Sequence, residues 1–248
     1  MRKRVFLHAG MHKTGTTSIQ RYLTKNRKWF AARGYFVMGD LEASRLRWRS
    51  KFGRSANCYR IAHLAIRPDL ETPMRITAPE NLAPSRGIDR LIRDVNGYIR
   101  RQRCHNIIIS SEAFSFLRST SEGQIVRQMF ANHHVVPIIF VRDKTKWMES
   151  WKSELSKHLD LADVQTSKLE ICNFSQDSWL VDYKGIERFW GKSGKYLSYD
   201  ESLGRFGSVI PTFLGALDLD LSQCPPWDEF WLNKGDDNAR SQLGCNPK

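Results

Sequence analysis

Short apolar runs alternate along most of the chain with segments whose apolar positions recur at helical spacing. The apolar runs predict strands, and the periodic segments predict helices between them. The predicted strands cover 4–8, 35–38, 106–112, 135–141 and 195–199. The predicted helices cover about 17–32, 85–103, 121–131, 144–159, 180–190 and 201–217. This alternation is typical of an α/β fold with a central, mostly parallel sheet of about five strands and helices on both faces.

The 248 residues are enough for one substantial core, so we expect a single domain over residues 1–248. The segment from about 40 to 84 is basic and rich in proline, and it is interpreted as an insertion with short helices outside the core. Its part from Arg45 to Arg60 carries six basic residues and no acidic one. Two interpretations of that part stay open: a solvated surface, or a wall that attracts an anionic ligand.

The first predicted strand ends in a loop that contains Gly10, Lys13 and Gly15, and a helix follows it. A strand, a glycine-rich loop and a helix form the usual cradle for phosphate, because loop N–H groups and the helix N-terminus converge on the anion. The Gly10-x-x-x-x-Gly15 spacing is that of a P-loop. In a nucleotide triphosphatase the lysine follows the second glycine, whereas here Thr16 does and Lys13 lies inside the loop. The alternative is an ordinary turn that leads into a helix.

Arg142 stands at the end of the fourth predicted strand, and Ser150 follows eight residues later in the next helix. Ligands of open α/β sheets bind beyond the carboxyl ends of the strands, where Arg142 is expected. A guanidinium can bind a phosphate dianion through two hydrogen bonds, and a hydroxyl can add a third. Alternatively, Arg142 pairs with Asp143 or a neighbouring carboxylate, and Ser150 is incidental.

The segment His12–Ser18 resembles the 5′-phosphosulfate loop of sulfotransferases that use 3′-phosphoadenosine 5′-phosphosulfate (PAPS), in the form found in bacterial members. The segment 141–150 is similar to the 3′-phosphate element of the same family. A third donor element is expected near the C-terminus, where Lys234 and Gly235 match it without the usual preceding arginine, although Arg240 is nearby. The resemblance covers about 5–235 and implies a P-loop-type three-layer sandwich.

The resemblance implies transfer of a sulfuryl group from PAPS to a hydroxyl, without a metal ion. Lys13 would lie near the bridging oxygen of the donor, and Ser150 would restrain this lysine until the acceptor binds. The acceptor is expected to be a carbohydrate or glycolipid. The residues that the resemblance assigns to the donor are Gly10, His12, Lys13, Thr14, Gly15, Thr16, Thr17, Ser18, Arg142, Ser150, Lys234 and Gly235.

Glu112 is the predicted general base. It ends the third predicted strand at the offset where cytosolic sulfotransferases place a catalytic histidine, and sulfuryl transfer to a hydroxyl needs a proton acceptor there. Its alternative roles are to cap the following turn or to pair with Arg118. His12 and His63 are the rival bases.

Two other functions remain possible from the sequence. One is a P-loop kinase-like phosphotransferase, for which Asp143 is the candidate Mg²⁺ ligand. The other is a non-enzymatic module that binds polyanions or glycans through the net charge of +13. No specific nucleic acid is expected as a partner, and the oligomeric state is not predicted.

Cysteine spacing and the lengths of the apolar runs argue against several other classes of protein. The five cysteines are widely spaced without a Cys-x-x-Cys pair, which argues against a disulfide framework and a zinc site. No apolar run reaches the ~20 residues of a membrane span. The apolar stretch after Met1–Arg4 stops at His8, too early for a signal peptide. These features predict a cytoplasmic protein.

Overall fold

Five parallel strands form one sheet at the centre of the molecule, in the order β2-β3-β1-β4-β5. The structure is a computed structural model that describes residues 2–42, 55–82, 87–157 and 167–230. The strands are β1 (Arg4–His8), β2 (Tyr35–Val37), β3 (Asn106–Ser110), β4 (His134–Val141) and β5 (Lys195–Ser198). The predicted fold class is therefore confirmed.

Helices cover both faces of the sheet. They are α1 (Thr16–Lys25), α2 (Arg27–Ala32), α3 (Tyr59–His63), α4 (Pro73–Thr77), α5 (Ile88–Arg101), α6 (Thr120–Met129), α7 (Lys144–Leu155), α8 (Tyr183–Trp190), α9 (Tyr199–Phe206) and α10 (Ile210–Ala216). Within the described ranges, no helix has the length and apolarity to cross a membrane.

The side chains of each strand alternate between two cores, as a pleated strand requires. In β1, Val5 and Leu7 face a core that also receives apolar residues of α3, α5, α6, α7 and α8. Phe6 faces the opposite core, which α1, α2 and α10 complete. Both faces are covered, so the central strands have continuous apolar interiors, 5–7 in β1, 107–109 in β3 and 135–141 in β4.

Strand β1 lies between β3 and β4; the register aligns the ends of β1 and β3, whereas β4 extends three residues further, to Val141. His8 is opposite Ser110 of β3 on one side and opposite Ile138 of β4 on the other. The loop after β1 therefore has the end of β3 on one flank and the end of β4 on the other. Candidate site residues after those two strands are brought to opposite flanks of that loop.

Two predicted helices are each divided in two. The helix expected at 17–32 is interrupted at Asn26, which ends α1 and precedes α2. The helix expected at 201–217 stops at Gly207, whose φ of 66° is left-handed, and α10 starts beyond it with Pro211 in its first turn.

The segment 40–84 does not lie outside the core where it is described. It forms the short helices α3 and α4, as expected, but Ile61, Leu64, Ile66 and Leu70 are buried in the core beside them. Asp40 fixes the start of α3, because its carboxylate accepts hydrogen bonds from the backbone N–H groups of Arg60 and Ile61, both at 3.1 Å. Burial raises the pKa of Asp40 to about 6, although these hydrogen bonds oppose the shift.

Replacing Gly15 with alanine should destabilise the fold more than the same change at Gly34. Both glycines have positive φ, 80° and 77°, which costs an alanine about 1–2 kcal/mol. A Cβ on Gly15 would also stand 2.7 Å from Val209 Cγ2, whereas one on Gly34 would meet nothing within 4 Å. This overpacking adds about 1–3 kcal/mol. Urea denaturation measures both losses, and adding Val209→Ala to Gly15→Ala should recover part of the extra loss. Equal losses at the two glycines would contradict the packing argument.

Candidate active site

The loop between β1 and α1 is compact and has little room for other side chains. The Thr14 hydroxyl is buried and donates a hydrogen bond to the Met11 carbonyl at 2.6 Å. A Cβ on Gly10 would lie 2.6 Å from Nε2 of the buried His8 ring, so only glycine fits there. The same ring is fixed by a 2.8 Å contact between its Nδ1 and Ser110 Oγ at the end of β3.

The loop leads into the N-terminus of α1 without any acidic residue in the first turn. The first backbone N–H groups of a helix have no partner inside the helix, and the helix dipole adds a partial positive charge. Thr16 Oγ1 is shielded from solvent and has no hydrogen-bond partner among the described residues. This end of α1 therefore presents donors and positive potential suited to an anion.

Two side chains from the β4–α7 connection hold the carbonyl groups of the loop. Arg142 Nη1 donates to the Lys13 carbonyl at 3.3 Å, and Trp147 Nε1 donates to the His12 carbonyl at 2.7 Å. The Arg142 guanidinium also lies over the Tyr199 ring, 4.9 Å from its centre.

Arg142 does not pair with Asp143, as the alternative interpretation required. The Asp143 carboxylate instead caps α7 by accepting from the Lys146 N–H at 3.0 Å. Within the described ranges, no carboxylate lies within 4.0 Å of the Arg142 guanidinium, and its Nε has no partner. A partly buried guanidinium with unused donors is suited to an anion.

The Lys13 ammonium binds a carboxylate that the sequence analysis did not single out. Lys13 Nζ lies 3.1 Å from Glu154 Oε2, and Lys157 Nζ lies 2.7 Å from the same oxygen. Partial burial opposes ionisation of Glu154, but the hydrogen bonds from Lys157 and Lys13 outweigh it and lower its pKa to about 2. The resemblance assigned the restraint of Lys13 to Ser150, whereas here Glu154, one helical turn further along α7, makes the contact.

Glu112 lies on the other flank of the loop, at the start of a short 3-10 turn, Glu112–Phe116. Its Oε2 accepts a hydrogen bond from Gln20 Nε2 of α1 at 3.1 Å. Burial raises its pKa, opposed by its own backbone N–H and by Gln20, and the charge on Glu154 raises it further. The charges of Glu112 and Glu154 therefore influence each other. Because Glu154 also forms the ion pair with Lys13, Glu112 is close enough to feel a change in that ion pair.

The alternative roles of Glu112 do not match this geometry. Ser111, rather than Glu112, caps the following turn by accepting from the Ala113 N–H. Arg118 does not bind Glu112. Its guanidinium donates to the carbonyl groups of Ser115, Leu117 and Trp179.

The two rival histidines are packed into the structure. His63 uses both ring nitrogens, with Nδ1 2.7 Å from the Tyr59 carbonyl and Nε2 2.8 Å from Thr72 Oγ1. The His12 ring lies between Phe116 and Trp151, with ring centres 4.8 and 4.7 Å away. Burial lowers the pKa of His12 to about 3, so the ring is neutral at physiological pH. His12 Nε2 has no partner in the described part of the chain.

The structure thus places the loop, Arg142 and Glu112 together at one edge of the sheet. Lys234, Gly235 and Arg240 lie outside the described residues. Within the residues that are described, no three His, Cys, Asp or Glu side chains form a group that could hold a metal ion. Sequence reasoning missed Gln20 and Glu154, which no local signal marks. Trp147 and Tyr199 stand near predicted strand ends, but they were not among the predicted site residues.

No family model and no curated protein matches this chain. Among solved structures, the chain is similar to a sulfotransferase from Alicyclobacillus acidocaldarius, with a TM-score of 0.49 and 15% sequence identity. The superposition covers 96% of this chain and 88% of that one. A likeness of this degree assigns no activity to the chain.

Replacing Lys13 with glycine should give a more stable protein than replacing it with alanine. Lys13 has a φ of 62°, a left-handed conformation that glycine adopts without strain and alanine does not. Both variants lack the ammonium group, so the difference, about 1 kcal/mol in favour of glycine, reports the backbone alone. Lys152 inside α7 is the matched control, where glycine should be worse than alanine by about 1 kcal/mol. If urea denaturation ranks the variants in the same order at both positions, the loop conformation is not as described.

Proposed function

We propose that this protein is a PAPS-dependent sulfotransferase that acts on a hydroxyl group of a saccharide. The observation that carries the proposal is the 3.3 Å hydrogen bond from Arg142 Nη1 to the Lys13 carbonyl. It joins the two segments that resemble the donor-binding elements of that family, although 129 residues separate them in the sequence. An arginine with unused donors next to an anion-binding loop suits a ligand with phosphate groups at two positions.

In this proposal the loop and the N-terminus of α1 bind the 5′-phosphosulfate through Gly10, Lys13 and the hydroxyl residues at 14 and 16–18. Arg142 binds the 3′-phosphate, with Ser150 as a second donor. Lys234 and Gly235 complete the donor site as the resemblance implies. The Tyr199 ring under the guanidinium keeps Arg142 oriented toward the strand ends.

The reaction needs one nucleophilic displacement. The acceptor oxygen attacks sulfur, and the bond between sulfur and the 5′-phosphate oxygen breaks with its electron pair left on that oxygen, which releases 3′-phosphoadenosine 5′-phosphate (PAP). The hydroxyl proton passes to the Glu112 carboxylate. The transition state of such a transfer is expected to be loose, so positioning and charge neutralisation dominate. Lys13 supplies the neutralisation at the leaving oxygen after it exchanges Glu154 for the donor.

The kinase-like alternative needs a carboxylate for Mg²⁺, and Asp143 was its candidate. Because Asp143 caps α7, its carboxylate is engaged in the fold. A module that binds polyanions by charge alone gives no role to the contact between Gln20 and the shielded Glu112 carboxylate. Its binding would also weaken steeply with salt.

PAP should bind much more tightly than AMP, because Arg142 binds the additional phosphate. Arg142→Ala should remove about 1.5–3 kcal/mol of that preference, which is about 10–100-fold in affinity. Arg93→Ala, which changes an exposed arginine of α5, is the matched control and should change neither affinity. Calorimetry measures the affinities of each variant for PAP, AMP and ATP. A preference for PAP that survives Arg142→Ala would overturn the assignment, and tight ATP binding that requires Mg²⁺ would favour the kinase.

Glu112→Gln should lower turnover by about 10²–10⁴-fold and leave PAP affinity nearly unchanged, because the amide cannot accept the proton. The base works when it is ionised, so kcat/KM should rise with pH and level off above the pKa of Glu112. Burial raises that pKa, which places the rise above the ordinary glutamate range near about 4.3. The rise should disappear in Glu112→Gln and persist in His63→Asn. PAP release from PAPS with a panel of saccharides provides the assay. Loss of the rise in His12→Asn, with its retention in Glu112→Gln, would assign the base to His12.

A further inference from the structure

A groove of about 610 Å³ runs along the exposed side of α1. Its described walls are Thr17, Gln20, Arg21, Thr24, Lys25, Ser55 and Phe230. The five residues from α1 recur at positions i, i+3, i+4, i+7 and i+8, so they form one stripe of the helix surface. At a rise of 1.5 Å per residue, the stripe from Thr17 to Lys25 is about 12 Å long. The volume is in the range of small-molecule binding sites.

One end of this groove reaches the proposed reaction centre. Thr17 belongs to the first turn of α1, directly after the loop. Gln20 lines the groove and also donates its 3.1 Å hydrogen bond to Glu112 Oε2. The Gln20 side chain therefore connects the groove to the Glu112 carboxylate, which is not itself part of the described wall.

The groove lies on the flank of the loop away from Arg142. Ser55 forms part of its wall, and Asn57, two residues later, pairs with Ser110 at the end of β3. Arg142 follows β4, on the other side of β1. The groove thus adjoins the donor loop at Thr17 and extends along α1 on the flank away from Arg142, where an acceptor could bind.

Arg21 gives the described wall of the groove an unpaired positive charge. Helix α1 contains no acidic residue. Lys25 is paired with Glu229 at 2.5 Å, but Arg21 is exposed and has no carboxylate within 4.0 Å among the described residues. Arg21 is also next to Gln20 in the sequence, so its charge lies near the end of the groove that meets Glu112.

We propose that this groove binds the acceptor, that the acceptor is an acidic saccharide, and that Arg21 binds its carboxylate or sulfate group. This proposal rests on the proposed function. The amide of Gln20 and the hydroxyl of Ser55 suit the hydroxyl groups of a sugar, and the exposed Arg21 is available to bind an anion. A hydroxyl of the same ligand then lies beside Glu112.

The test uses the full chain and two tetrasaccharides of equal length. One alternates glucuronate with N-acetylglucosamine, and the other contains N-acetylglucosamine alone. Calorimetry with PAP-saturated protein should show tighter binding of the acidic one. Arg21→Glu should weaken that binding at least ten-fold, because a charge-assisted contact is replaced by repulsion, and should leave PAP affinity and neutral-saccharide affinity within about two-fold. Arg93→Glu makes the same change of net charge on the opposite face of the sheet and should have no effect.

Each other result overturns the proposal. Equal affinity for the two tetrasaccharides, or no binding of the acidic one, would show that the groove does not select an anionic acceptor. Equal losses in Arg21→Glu and Arg93→Glu mean that the net charge, not the groove, attracts the ligand. PAP affinity is measured separately, so failure of PAP to bind would refute the donor assignment alone. The comparison of the two saccharides in PAP-free protein would then still test whether the groove binds an acidic saccharide.

Discussion

The hydrogen bonds that hold the carbonyl groups of His12 and Lys13 determine how the rest of the site can work. A trans peptide group directs its C=O and N–H to opposite sides. Trp147 and Arg142 bind the two carbonyl groups from the side of α7, so the N–H groups of Lys13 and Thr14 are directed the other way. The same contacts maintain the left-handed backbone of Lys13, a strained conformation that needs support from its surroundings. The loop therefore presents its N–H groups as hydrogen-bond donors before any ligand binds.

The ion pair between Lys13 and Glu154 is weak enough for an anionic ligand to replace the Glu154 carboxylate. The contact between Lys13 and Glu154 is partly exposed, and ion pairs of this kind stabilise a protein by at most about 1 kcal/mol. An anionic ligand can thus replace Glu154 as the partner of Lys13 at little energetic cost. Glu154 remains ionised afterwards, because Lys157 stays beside it. Under the proposed function, its uncovered charge would act on Glu112 more strongly and make that carboxylate a better base.

The sequence predicted those parts of the structure that depend on local signals. The strands follow from short apolar runs, and the loop follows from its glycines, so both were predicted within a few residues. Arg142 was expected at the ligand-binding edge because it ends an apolar run. Gln20 and Glu154 were not foreseen, because their contacts with Glu112 and Lys13 join residues 92 and 141 positions apart. Such contacts depend on the rotation of a helix about its axis, which no local pattern specifies.

The segment 40–84 shows a different limit of sequence reasoning. Its buried residues fall in short stretches between prolines and basic residues, such as 61–66, and no run is long enough to show a period. The charge of the segment therefore dominated its interpretation. The core contribution of Ile61 and Leu64 depends instead on Asp40, which starts α3 from a position about twenty residues earlier.

The order of the strands separates the proposed proton acceptor from the proposed anchor of the 3′-phosphate. An incoming hydroxyl and a departing phosphate must lie on roughly opposite sides of the sulfur. Because β1 runs between β3 and β4, a group bound by its loop has the end of β3 on one side and the end of β4 on the other. Glu112 follows β3 and Arg142 follows β4. In the proposed reaction, the loop holds the departing 5′-phosphate and Arg142 anchors the donor through its 3′-phosphate. The sheet topology places the proton acceptor on the flank of the loop away from that anchor.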